Sequence, residues 1–126
     1  MEPVSDLLFV YGTLRRGAYR GLKPNPFALR LESEADWLGP ASIHGRLYQV
    51  NPEYPGLAPA VEPHETVAGE VWQFSDPDLW RALDAYEGEE YQRVRWPITF
   101  PDGSHREGWV YLYASKITTA MAIVAV

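Results

Sequence analysis

The chain has 126 residues, 46% of them hydrophobic and 22% charged, with a formal net charge of −6. That length suits one domain, residues 1–126, able to bury about two-thirds of its unfolded surface, and the ordinary composition excludes a disordered chain. The acidic balance argues against nucleic acid or an anionic membrane as partner, and the lack of cysteine excludes disulfides, thiolate metal sites and cysteine nucleophiles.

Met1 to Asp6 lacks the basic and apolar regions of a signal peptide, and no uncharged apolar stretch reaches membrane-spanning length. A cytoplasmic location is the expectation. Leu7 to Tyr11 is an apolar run of branched and aromatic residues without helical spacing, which reads as a short buried strand. It breaks at Gly12 and continues through Thr13, Leu14, Arg15 and Arg16. Gly12 allows either a sharp turn or close approach of the backbone to something bound. Successive N–H groups after such a break can hold an anion or a carbonyl oxygen, and an ordinary loop is the competing reading.

Residues 17–25 read as a loop, and Phe27 to Ala35 as a short helix preceded by Pro26. Trp37 to Pro40 is expected to close that helix, and Ala41 to Val50 to be one extended segment. Asn51 to Gly56 reads as a turn or projecting loop, and Leu57 to Glu65 as irregular. Thr66 to Phe74 alternates as a strand. Asp76, Pro77 and Gly88 then carry the start and stop chemistry of a helix, whose buried face is expected to hold Leu79, Leu83 and Tyr86. Tyr91 to Phe100, a turn at Pro101 to Ser104, and Glu107 to Ala114 form an expected hairpin. Five strands and two helices, not strictly alternating, predict an α+β fold. Apolar residues on both strand faces favour a small mixed β-barrel with peripheral short helices. The apolar tail, residues 117–126, reads as an edge strand or a surface for self-association.

Four acids crowd the end of the second helix. Glu89 and Glu90 fit a solvated corner. Glu87 lies in the last helical turn, where the dipole disfavours negative charge, and Asp84 precedes it by three residues; both effects raise its pKa. Trp80, Asp84 and Glu87 share a stripe that can bring Glu87 to the rim of a pocket, so it is a candidate general acid/base as well as a candidate surface carboxylate. Arg15 and Arg93 can hold a substrate carboxylate or sit in ion pairs, and Tyr91 can be core or pocket wall. The histidines lack ligand spacing, no nucleophile elbow is present, and the glycines fit neither a dinucleotide fingerprint nor a phosphate loop.

Taken in order, Tyr11-Gly12-Thr13-Leu14-Arg15, Gly45-Arg46-Leu47-Tyr48, Tyr54-Pro55-Gly56-Leu57, Gly69-Glu70-Val71-Trp72, and Leu83 to Gly88 with Tyr91 and Arg93 resemble the gamma-glutamylcyclotransferase-like family. That family includes the gamma-glutamylamine cyclotransferases and the plant avirulence-induced proteins. The resemblance implies a small mixed barrel and an enzyme that cyclises the gamma-glutamyl group of a small amine or peptide to 5-oxoproline. It implies Glu87 as the catalytic acid/base and no cofactor. Substrate binding falls to Tyr11, Gly12, Thr13 and Leu14, with Arg15 and Tyr91 as further candidates. The tail from Lys116, the loop at 17–25 and the segment 57–63 depart from the family pattern and leave the substrate open. A non-catalytic module that binds a small ligand on the same fold is the alternative.

Overall fold

Two-residue periodicity sorts the first strand's side chains onto opposite faces, and both faces are buried. A computed structural model describes residues 6–12, 14–16, 26–49 and 55–114. In β1 (Leu7–Val10), Leu7 and Phe9 enter one apolar core while Leu8 and Val10 enter a second. This explains why the run shows no polar alternation. The other elements are α1 (Pro26–Glu34), β2 (Asp36–His44), β3 (Arg46–Gln49), β4 (Pro55–Ala58), β5 (Thr66–Gln73), α2 (Pro77–Glu87), a short 3-10 turn (Gly88–Glu90), β6 (Tyr91–Thr99) and β7 (His105–Tyr113).

Five strands close into a barrel in the order β1-β5-β2-β6-β7, and β3 pairs with β4 in a separate ribbon. The barrel is mixed, because β1 runs parallel to β7 and antiparallel to β5. Its interior holds Phe9, Ile43, Val67, Val71, Ile98 and Val110. The second core lies between the barrel and the helices, where Leu31 of α1 and Leu79 and Leu83 of α2 pack with Trp72 and Tyr111. The expected α+β fold, a mixed five-stranded barrel with short peripheral helices, is what forms.

α2 follows its local chemistry. Asp76 caps it by accepting the Asp78 N–H at 2.9 Å, Pro77 opens it, and Gly88 at φ 70° ends it with its N–H on the Asp84 carbonyl. Four expectations about the elements need correction. Trp37 to Pro40 does not close α1 but already belongs to β2, whose register with β5 shifts between Trp37 and Gly39; Gly39 takes φ 102° there. The extended segment from Ala41 is two strands broken at Gly45, where a side chain would strike Leu57. Leu57 and Ala58 are strand rather than irregular, since they pair with Leu47 and Arg46, and Pro55 is tolerated at the ribbon's edge.

The last strand also begins two residues earlier than expected, at His105, which lies opposite Thr99. Thr13, the loop at 17–25, residues 51–54 and the apolar tail lie outside the described residues. No helix among the described residues is long and apolar enough to cross a membrane.

Candidate active site

β1 ends beside the last turn of α2, and a cavity of about 110 Å³ opens between them. Phe9, Val10, Tyr11, Gly12 and Leu14 line it from the first strand and its loop, and Tyr86, Glu87, Glu90, Tyr91 and Tyr111 from α2, the 3-10 turn, β6 and β7. Tyr11, Gly12, Leu14, Glu87 and Tyr91 therefore meet at one place from three separate parts of the chain. Arg15 does not line it: its Nε donates back to the Gly12 carbonyl at 3.1 Å and its side chain is exposed. Thr13 lies outside the described residues.

Glu87 is the singular group in this cavity. Its carboxylate makes no hydrogen bond or ion pair among the described residues, and burial pushes its carboxyl up to about 7. Burial is the cause, and the Asp84 charge one helical turn earlier is engaged elsewhere. Arg93 grips Asp84 with Nε at 2.9 Å and Nη2 at 3.1 Å, and the Tyr111 hydroxyl donates to Asp84 at 2.7 Å. Arg93 is thus ion-paired and does not line this cavity.

Tyr11 is fixed as a wall. Its hydroxyl donates to the Tyr111 carbonyl at 2.8 Å and accepts the Leu57 N–H at 3.3 Å. Burial, then the neighbouring Tyr91 and Glu87, push that hydroxyl far above its ordinary range, so it stays a neutral donor. Burial does the same to Tyr111, followed by its hydrogen bond to Asp84. The N–H groups of Gly12 and Leu14, which line the same cavity, have no acceptor among the described residues. Backbone donors without an acceptor among the described residues, lining the same cavity as a partly desolvated carboxyl, suit a carbonyl substrate.

Sequence reasoning missed five lining residues: Phe9 and Val10, read only as strand, Glu90, read as a solvated corner, and Tyr86 and Tyr111. Tyr86 was expected in the core, yet it is 42% exposed and stacks on Phe27 with ring centres 4.5 Å apart, forming the cavity's edge. Tyr111 lies on the final strand, and no local signal distinguishes it from other strand aromatics.

The family model described as gamma-glutamyl cyclotransferase, AIG2-like, matches residues 8–124. This chain belongs to that family. Among cyclotransferase-family relatives, the gamma-L-glutamyl-butirosin B gamma-glutamyl cyclotransferase of Niallia circulans is 33% identical over 114 residues, which cover 84% of this chain and 65% of the relative. A Vibrio cholerae protein provisionally named gamma-glutamylcyclotransferase is 31% identical over 118 residues, covering 87% of this chain and 84% of that protein. The crystal structure of a mouse AIG2-like protein superposes with a TM-score of 0.70 at 22% identity, covering 91% of this chain and 81% of the other. That likeness supports the cyclotransferase fold alone.

Proposed function

We propose that this protein, acting as a single domain, cyclises the gamma-glutamyl group of a small amine or peptide to 5-oxoproline and releases the free amine. The observation that carries the reading is Glu87: a partly buried carboxyl with no partner among the described residues, its pKa raised to about 7, lining one cavity with Gly12 and Leu14. The nucleophile is the substrate's own α-amine, so no serine or cysteine is required. Glu87 removes a proton from the α-ammonium, and the free amine attacks the γ-carbonyl. The resulting oxyanion is held by the N–H groups of Gly12 and Leu14, a contribution commonly worth about 3 kcal/mol per donor. Glu87 then protonates the leaving nitrogen and takes the second proton from the attacking one. The amide C–N bond breaks, the lactam closes, and Glu87 returns its last proton to the amine or to water.

A carboxyl titrating near neutrality can run both transfers. Tyr11, anchored at its hydroxyl, and Tyr91 and Tyr111 give the ring-closing conformer a rigid wall. Thr13 joins the loop that holds the gamma-glutamyl group, and Arg15 is assigned to the loop's outer side. The partner is a small molecule rather than nucleic acid or a membrane, and the location is cytoplasmic. The test is a screen for 5-oxoproline release from gamma-glutamyl amines and peptides, with Glu87→Gln as control. Release abolished by the substitution supports the reading. Thermal stabilisation by these compounds without release would replace it with a binding module.

A further inference from the structure

Asp84 stands one helical turn before Glu87, and two carboxylates at that spacing repel. The structure removes this conflict with a cluster around Asp84. Asp84 Oδ1 accepts Arg93 Nε and the Tyr111 hydroxyl, while Oδ2 accepts Arg93 Nη2. Arg93 is itself held between two indoles, 4.6 Å from the ring centres of both Trp80 and Trp109. The cluster ties α2 to β6 and β7, the two strands that bring Tyr91 and Tyr111 to the cavity.

We propose that Asp84 and Arg93 form a neutral positioning unit that docks the last turn of α2 on the barrel and shields Glu87 from the Asp84 charge. The inference rests on the proposed role of Glu87. Arg93 presents a planar fork that matches the carboxylate, and the indole faces restrict its rotation. The other titratable groups facing Glu87 are Tyr11 from the end of β1, Glu90 from the 3-10 turn, Tyr91 from β6 and Tyr111 from β7, with Tyr86 on its own helix. Tyr11 and Tyr111 stay neutral, and in the Asp84–Arg93 pair one substitution unmasks a single charge of either sign.

The experiment follows the Glu87 carboxyl by 13C NMR titration, assigned with Glu87→Gln, in full-length protein. Arg93→Met leaves Asp84 uncompensated and should raise the midpoint by about half a pH unit or more. Asp84→Asn leaves Arg93 uncompensated and should lower it. The double variant should return to the wild-type midpoint, a pattern that loss of packing alone does not produce. Tyr111→Phe, which keeps the ring and the ion pair, should raise the midpoint by less and lower kcat with little change in KM. It serves as the test if Arg93→Met does not fold. Unchanged midpoints in the folded variants, or a double variant that stays shifted, would overturn the proposal. If the midpoints move as described while the wild type releases no 5-oxoproline, the reaction assignment fails and the positioning unit stands.

Discussion

The indole N–H of Trp72 donates to the Leu14 carbonyl at 3.0 Å, so a buried residue of the barrel wall holds the loop that borders the cavity. Two residues earlier on β5, the Glu70 carboxylate accepts the Arg16 N–H at 2.8 Å and the Trp37 indole N–H at 3.2 Å. β5 thus fastens the loop on both sides of Arg15. Trp72→Phe keeps an aromatic ring but leaves the Leu14 carbonyl without its donor. The expected loss is about 1–3 kcal/mol in urea denaturation. KM for a gamma-glutamyl substrate should rise several-fold; a variant with wild-type KM would free the loop's geometry from Trp72.

Two glycines in the family motifs have opposite reasons for being glycine. A methyl group at Gly69 would meet the Val10 carbonyl oxygen and lie 2.5 Å from the Phe9 ring, so β1 and β5 could not keep their spacing. Gly69→Ala should cost about 1–3 kcal/mol or more by overpacking. Gly12 has no positive φ, and a methyl group there meets nothing within 4 Å. Neither a steric contact nor a positive φ requires glycine at position 12, and the proposed function assigns it close approach to a ligand. Gly12→Ala should melt within a degree or two of wild type, since compatible surface changes stay within about 0.5 kcal/mol, yet lose kcat/KM at least tenfold. Equal thermal losses at both positions would contradict this division.

The raised carboxyl of Glu87 makes a prediction about stability that does not depend on activity. Its folded pKa of about 7 lies above the ordinary 4.5, so the folded protein holds a proton that the unfolded chain releases. Below pH 4.5 both states are protonated and nothing is lost. As pH rises through 7 the native state becomes less stable, by roughly 3 kcal/mol at most. Glu87→Gln should therefore match wild type near pH 4 and be more stable at pH 8 in chemical denaturation. Equal stability at both pH values would place an ordinary carboxyl at Glu87.

Much of the fold is legible where local chemistry decides the structure. Asp76, Pro77 and Gly88 mark α2 at both ends, and Pro101 to Ser104 marks the β6–β7 turn between strands in clear alternation. Legibility fails where distant pairing decides. Gly39 and Pro40 look like breakers, but pairing with β5 carries β2 straight through them over a register shift. Leu57 becomes strand only because β3 lies beside it. At the site, Glu87 stands out by position, but burial as the cause of its raised pKa belongs to the folded cavity. The Asp84–Arg93 grip and the Tyr11 hydroxyl on the Tyr111 carbonyl also join residues that no local window connects.

The central claim is that Glu87 moves the protons of ring closure. Its most direct test is kcat/KM for 5-oxoproline release, measured from pH 5 to 9 on a gamma-glutamyl amine that the screen identifies. The account predicts a rise through an apparent pKa near 7, where Glu87 loses its proton. It also predicts at least a hundredfold loss for Glu87→Gln, in line with the usual 10²–10⁴-fold, roughly, from a positioned acid/base. A folded Glu87→Gln variant with wild-type kcat/KM and the same pH profile would contradict it.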